Sequence, residues 1–348
     1  MISLSRRAFV AAAAAAPILG ALPGRALAQT PLPNSAGQVI VLSNSSPQVT
    51  VIDPATLSIV GTKEFPDFPG WTWNDDHNYF DGRLLWLGTR SMETNDSSVV
   101  ALDLDTLEIV TEIPTGKEEQ TLYLSRGGED GRFYVGKMAG GQVLAIDPVA
   151  GTIAETWDVP VNEGVVCDID VFTGPDGIER VYYPTFMGNT VAIVNPTDGQ
   201  ADPISEDFPD GAGPWMSTAD AQGRLWVQWE ANTNDVLDGV DLSLIERIPV
   251  GAQPTNVTFS PDGTLAYISH LADSTIIPVD TTTFEKVAEI QVGTNARQVA
   301  VNPDGKTIYA IADKEGLVAA IDTTTWEITE RILIGTDPNV IFFRAPSA

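Results

Sequence analysis

One short pattern returns seven times along this chain, at Asp53, Asp103, Asp147, Asn195, Asp238, Asp280 and Asp322, spaced 42 to 50 residues apart. Such a period constrains the fold more than composition does, because each repeat is a unit that buries its apolar face only against its neighbours. The plainest copies are Val279-Asp280-Thr281-Thr282-Thr283-Phe284-Glu285 and Ile321-Asp322-Thr323-Thr324-Thr325-Trp326-Glu327. The copies at Asp103, Asp238, Asp280 and Asp322 keep a glycine thirteen residues on, at Gly116, Gly251, Gly293 and Gly335.

Within a copy, Thr255-Asn256-Val257-Thr258-Phe259-Ser260 and Leu265-Ala266-Tyr267-Ile268 flank Pro261-Asp262-Gly263. Alternating apolar runs around a tight turn predict half-buried strands in a hairpin. The runs 274–279 and 286–291 complete four strands, and the Asp-Thr-Thr-Thr segment between them is read as a turn set by side chains that bond their own backbone. The chain is therefore expected to be all-β, a seven-bladed β-propeller of four-stranded antiparallel blades. The first copy starts with Val39-Ile40-Val41-Leu42 and lacks an innermost strand, whereas Asn339-Val340-Ile341-Phe342-Phe343 has that pattern and no continuation. The C-terminal strand should complete the first blade and close the ring, leaving no open sheet edge.

The run Ile248-Pro249-Val250-Gly251 through Pro254, Ser260-Pro261-Asp262-Gly263, Tyr267 and Val279-Asp280 resembles the YVTN-type repeat of the quinoprotein amine dehydrogenase beta-chain-like superfamily. The resemblance is strong over residues 236 to 335 and weaker over 38 to 235. It implies the propeller fold and leaves activity open, since relatives include binding proteins, lactonase-like enzymes and redox-enzyme subunits.

Ser5-Arg6-Arg7-Ala8-Phe9-Val10, an Ala-rich stretch and Ala26-Leu27-Ala28 read as a twin-arginine signal peptide over residues 1–28, with the propeller over 29–348. The product is expected to be periplasmic or secreted, without membrane insertion after cleavage. The net charge of −28 makes nucleic acid a poor partner, because phosphate binding rests on Lys and Arg. A lone Cys167 excludes an intramolecular disulfide, and two histidines, His77 and His270, exclude a multi-histidine metal site.

Function should reside on the face where the inlet loops to the innermost strands meet the loops joining strands two and three. The candidate ligand-binding residues there are Trp71, Arg90, Glu119, Lys137, Trp215, Trp229, Asn256, Lys314 and Asn339. The candidate catalytic residues are His270, Glu230, Glu163 and Arg297, with His270 facing the mouth. Glu119, Glu163 and Glu230 could bind a divalent cation such as calcium through oxygen ligands. His77 should turn on the opposite face, away from His270, which disfavours a two-histidine catalyst. In the innermost strand at 165–170, alternation sends Cys167 and Ile169 one way and Asp168 and Asp170 the other, so that one pair lines the channel wall. No catalytic constellation assembles from sequence alone. The leading expectation is a non-catalytic module that binds a small molecule or a periplasmic partner protein. The alternatives are a lactonase-like hydrolase or lyase, and the propeller subunit of a periplasmic dehydrogenase.

Overall fold

The computed structural model describes residues 37–346 apart from 45, 73–76, 160–164, 203–212, 230–231 and 336. Residues 1–28, read above as a signal peptide, lie outside the described residues, as do Glu163 and Glu230. Seven antiparallel sheets follow one another along the chain. Blade 1 joins Pro338–Arg344, Gln38–Ser43, Gln48–Asp53 and Ser58–Glu64, in that order from the axis outward. Blade 2 has the strands Leu84–Arg90, Asp96–Asp103 and Glu108–Lys117; its inner position is taken by the segment at Trp71 and Thr72, through a bridge from Trp71 to Thr89. Blades 3 to 7 begin with the innermost strands Leu122–Gly127, Asp170–Thr173, Pro214–Ala219, Pro254–Phe259 and Ala296–Val301, and each has four strands.

Seven apolar clusters hold the ring, one for each pair of neighbouring blades. Blades 5 and 6, for example, share Trp226, Val236, Ile248, Ala266 and Ile268, and blades 7 and 1 share Tyr309, Ile311, Val39, Val41 and Ile341. Because side chains alternate along a strand, each blade sends one apolar row to each neighbour, and the cores close on themselves without a terminal face.

The C-terminal strand closes the ring as the sequence predicts. Val39 pairs with Phe343, Ile40 with Phe342, Val41 with Ile341 and Leu42 with Val340; Ser43 then pairs with Pro338, so that Asn339 stands in a bulge. Arg344 adds a latch that the sequence did not suggest, donating from Nη1 to Gln38 Oε1 at 3.2 Å and to Leu104 O of blade 2 at 3.1 Å. The recurrent aspartates are turn residues. Asp280 Oδ1 accepts the backbone N–H groups of Thr282 and Thr283, and Asp322 Oδ1 those of Thr324 and Thr325, all at 2.8 Å.

Candidate functional site

The innermost strand of each blade keeps one edge free of a strand partner, so its N–H and C=O groups on that side need other partners. On blade 5 those groups belong to Ser217 and Ala219, two residues apart. On blade 4, Asp168 and Asp170 are also two residues apart and therefore on one side of their strand, so the two periods match. Asp168 Oδ2 accepts Ser217 N–H at 2.8 Å and the Ser217 hydroxyl at 3.3 Å; Asp170 Oδ2 accepts Ala219 N–H at 3.0 Å.

The carbonyls on the same edge are taken by two basic side chains from other blades. His77, from the segment following the inner position of blade 2, reaches Ser217 O with Nε2 at 3.0 Å and lies 3.5 Å from Asp170 Oδ2. Arg126 of blade 3 grips Asp170 with Nε at 2.9 Å and Nη2 at 2.8 Å, and Nη2 also reaches Ala219 O at 3.3 Å. Four blades thus meet in one buried polar cluster around the channel. Arg126 opens it to solvent, with 40% of its side chain exposed while Asp170 is fully buried.

The electrostatics give these groups distinct states. Burial holds the His77 imidazole below its ordinary pKa, and the Asp170 carboxylate opposes that effect only in part. A carbonyl oxygen can only accept, so Nε2 carries the ring proton and Nδ1 the lone pair. Burial pushes the Asp168 carboxyl up to about 8, against the hydrogen bond from Ser217 N–H. The neighbouring Cys167 thiol is pushed up to about 12 by burial and is inert as a nucleophile at neutral pH.

These groups lie towards the ends of the blade 3 and blade 5 innermost strands. His77 bonds across to blade 5 through Ser217 O and makes no contact with His270. The Cys167 segment follows its alternation, with Asp168 and Asp170 on the polar side. Arg126 was missed because its partner Asp170 is 44 residues distant, and an arginine near a strand end has no local mark of function.

His270 does not face the mouth. It follows Ala266 and Ile268 on the face packed between blades 5 and 6, is fully buried, and has neither ring nitrogen hydrogen-bonded. Burial pushes its pKa down to about 4, so it is a neutral wall residue. Trp71 and Trp229 belong to inter-blade cores, with Trp71 packed 4.4 Å from the Phe68 ring. Trp215 is half-buried and meets Phe186 edge-on at 5.2 Å. Lys137 is buried and donates to Thr115 O at 3.2 Å, and Arg90 donates to Glu119 O at 2.7 Å. The Glu119 side chain is exposed, and no group of three metal-ligating side chains occurs among the described residues.

Part of the expected mouth does come together. Arg297 Nη1 and Lys314 Nζ both lie 3.5 Å from Asp313 Oδ2. Asn339 occupies the bulge equivalent to Arg297 on the adjacent blade, buried with both amide atoms unpartnered, while Asn256 accepts the Thr258 hydroxyl at 3.0 Å. A cleft of about 440 Å³ on the opposite face, between blades 6 and 7, is lined by Ser260, Asp262, Tyr267 and Asp304. The Asp262 carboxylate there is occupied by its own turn, accepting from Ser260 and Thr264, and offers no acid–base pair.

No family model and no curated protein matches the chain. Solved structures do. The Pseudomonas aeruginosa periplasmic gluconolactonase superposes with a TM-score of 0.67 at 16% identity, over 89% of this chain and 99% of its own. A candidate 6-phosphogluconolactonase of Bacteroides uniformis gives 0.65 at 15% identity, over 88% and 99%. Kuenenia stuttgartiensis hydrazine synthase gives 0.62 at 16% identity, over 79% and 90%. At these identities the likeness establishes the fold: this chain is a seven-bladed β-propeller. The expectation of a non-catalytic binding module is corrected by the same comparison. The structures similar to this chain include gluconolactonase-type propellers.

Proposed function

We propose that this protein is a lactonase-like hydrolase whose reaction takes place in the central channel. The observation that carries the reading is the His77–Asp170–Arg126 cluster, a neutral imidazole and a guanidinium held by one buried carboxylate. The gluconolactonase-type neighbours of the same fold support it. Opening a lactone needs a base to take a proton from the attacking water and a donor to stabilise the charge on the carbonyl oxygen. His77 Nδ1 is the base, with the ring orientation set by Ser217 O and Asp170. Arg126 is the donor: with Nε and Nη2 engaged, Nη1 remains for the substrate oxygen. Asp170 is the positioning residue for both.

The twin-arginine pattern at Arg6 and Arg7, the YVTN-type repeat and the periplasmic neighbour support a periplasmic setting with a small-molecule substrate. The test is pH-stat turnover of five- and six-membered lactones by the purified protein. The expected result is a rate above spontaneous hydrolysis that falls ~100-fold or more in His77→Gln, in line with the usual contribution of a general base. Rates no faster than the spontaneous reaction across the series, or unchanged in His77→Gln, would sink the assignment.

A further inference from the structure

The scheme above leaves one group unused and one chemical need unmet. When the acyl C–O bond of a lactone breaks, the departing ring oxygen leaves as an alkoxide and needs a proton. His77 Nδ1 has just accepted a proton on the attacking side. The unused group is Asp168, bonded to the same residue as His77: it takes Ser217 N–H, while His77 takes Ser217 O.

Asp168 and Asp170 are buried carboxyls two residues apart on one strand, and their partners differ. Asp170 receives two guanidinium N–H donors from Arg126 and the backbone N–H groups of Ala219 and Val171. Asp168 receives the N–H and hydroxyl of Ser217 and the backbone N–H of Ile169, all neutral, and no cation among the described residues contacts it. A buried carboxyl that has a second carboxyl beside it and only neutral donors for partners holds its proton more tightly than a free one. Asp170, two residues on, acts on Asp168 directly; His77 from blade 2 reaches it only through Ser217, and Arg126 from blade 3 only through Asp170. Cys167 beside it is a neutral thiol.

We propose, on the footing of the hydrolase reading, that Asp168 is the acid of this site, protonated at neutral pH and donating to the ring oxygen as the lactone opens. The new bond joins the water oxygen to the acyl carbon, and the bond that breaks joins that carbon to the ring oxygen. The water proton goes to His77 and the Asp168 proton to the new hydroxyl; exchange with solvent then returns the proton from His77 to Asp168. The net change is the addition of one water. Burial, which raises the proton affinity of Asp168, supports this division of roles.

Infrared difference spectra of the wild-type protein across pH 5 to 10 test the protonation directly. The expected result is a protonated-carboxyl band at pH 6.5 that disappears with a midpoint near 8 and is missing in Asp168→Asn. Kinetics test the donation. Asp168→Asn should lose ~100-fold on alkyl lactones and much less on aryl lactones, whose phenolate leaves without help. A carboxyl that titrates in the ordinary range, or equal losses on both substrates, overturns the acid role while leaving hydrolysis by His77 intact. A titrating band in a protein that opens no lactone overturns the donor role together with the hydrolase reading.

Discussion

The seam between blades 4 and 5 and the seams on either side of blade 7 solve the same backbone problem with different chemistry. Around blade 7 the free edges are satisfied by neutral side chains: Thr258 donates to Val299 O at 3.0 Å, and Gln298 Oε1 accepts Ile341 N–H at 2.8 Å. Between blades 2 and 3, Thr72 likewise donates to Leu122 O at 3.0 Å. Only at blades 4 and 5, among the described residues, do carboxyls take the edge N–H groups, with His77 and Arg126 on the carbonyls. A hydroxyl or an amide would suffice to hold the strand, and burying charge there costs desolvation that packing alone does not recover. The contrast teaches where the ring gives up stability for reactivity.

The largest effect should come from breaking a neutral seam outright. Deleting residues 338–348 removes the strand whose Val340 and Ile341 lie in two different inter-blade cores. At roughly 1.5–3 kcal/mol for each large side chain returned to water, and with an edge opened in both adjoining cores, the ring should unfold or aggregate at ambient temperature. A truncated protein melting within a degree or two of the full chain would mean the neutral seam is dispensable.

Next in size is a paired substitution across the two kinds of seam. Asp170→Asn leaves the partly exposed Arg126 guanidinium without its counter-charge and should cost ~2–3 kcal/mol, together with activity. Thr258→Val removes a neutral hydroxyl whose one proton is shared between Val299 O and Asn256 Oδ1, and should cost ~1 kcal/mol with activity unchanged. Denaturant unfolding of both variants checks the difference, and equal losses would erase the contrast.

The seams should also part in their response to pH. Burial raises the folded-state pKa of Asp168 to about 8, from about 3.9 for a free Asp carboxyl. As pH rises between those values the unfolded chain releases this proton and the folded chain retains it, so stability falls across the window and levels off above it. In Asp168→Asn that component of the pH dependence should vanish, which urea midpoints measured from pH 4 to 9 would show.

The two histidines carry the contrast to its smallest expected effect. His270, in the apolar wall between blades 5 and 6, has a pKa lowered to about 4, so its contribution is present above pH 6.5 and lost as pH falls through that range. His270→Leu should flatten the acid limb of stability and leave lactone turnover unchanged. Loss of turnover in that variant would place chemistry in the wall as well as in the channel.

Much of this architecture was legible because it is repeated. The aspartate turns at Asp280 and Asp322, the hairpin glycines and the unpaired run at Asn339 to Phe343 are local patterns, and counting them predicts the ring and its closure. The site was legible only in fragments. Alternation placed Asp168 and Asp170 on one side of their strand, whereas His270, assigned to the mouth by its position at a strand end, shares the face of Ala266 and Ile268 and is buried. His77, Arg126, Asp170 and Ser217 come from four repeats, and nothing in any one of them marks the others as partners.

By itself, then, the sequence determined the all-β class, the seven blades, the turn chemistry and the closing strand, because each follows from hydrogen bonding and apolar burial within a repeat and its neighbour. Only the tertiary structure decided which polar side chains meet across the channel. Ring closure brings together residues as far apart in sequence as His77 and Ser217, and the burial that raises the proton affinity of Asp168 exists only once the blades pack around it.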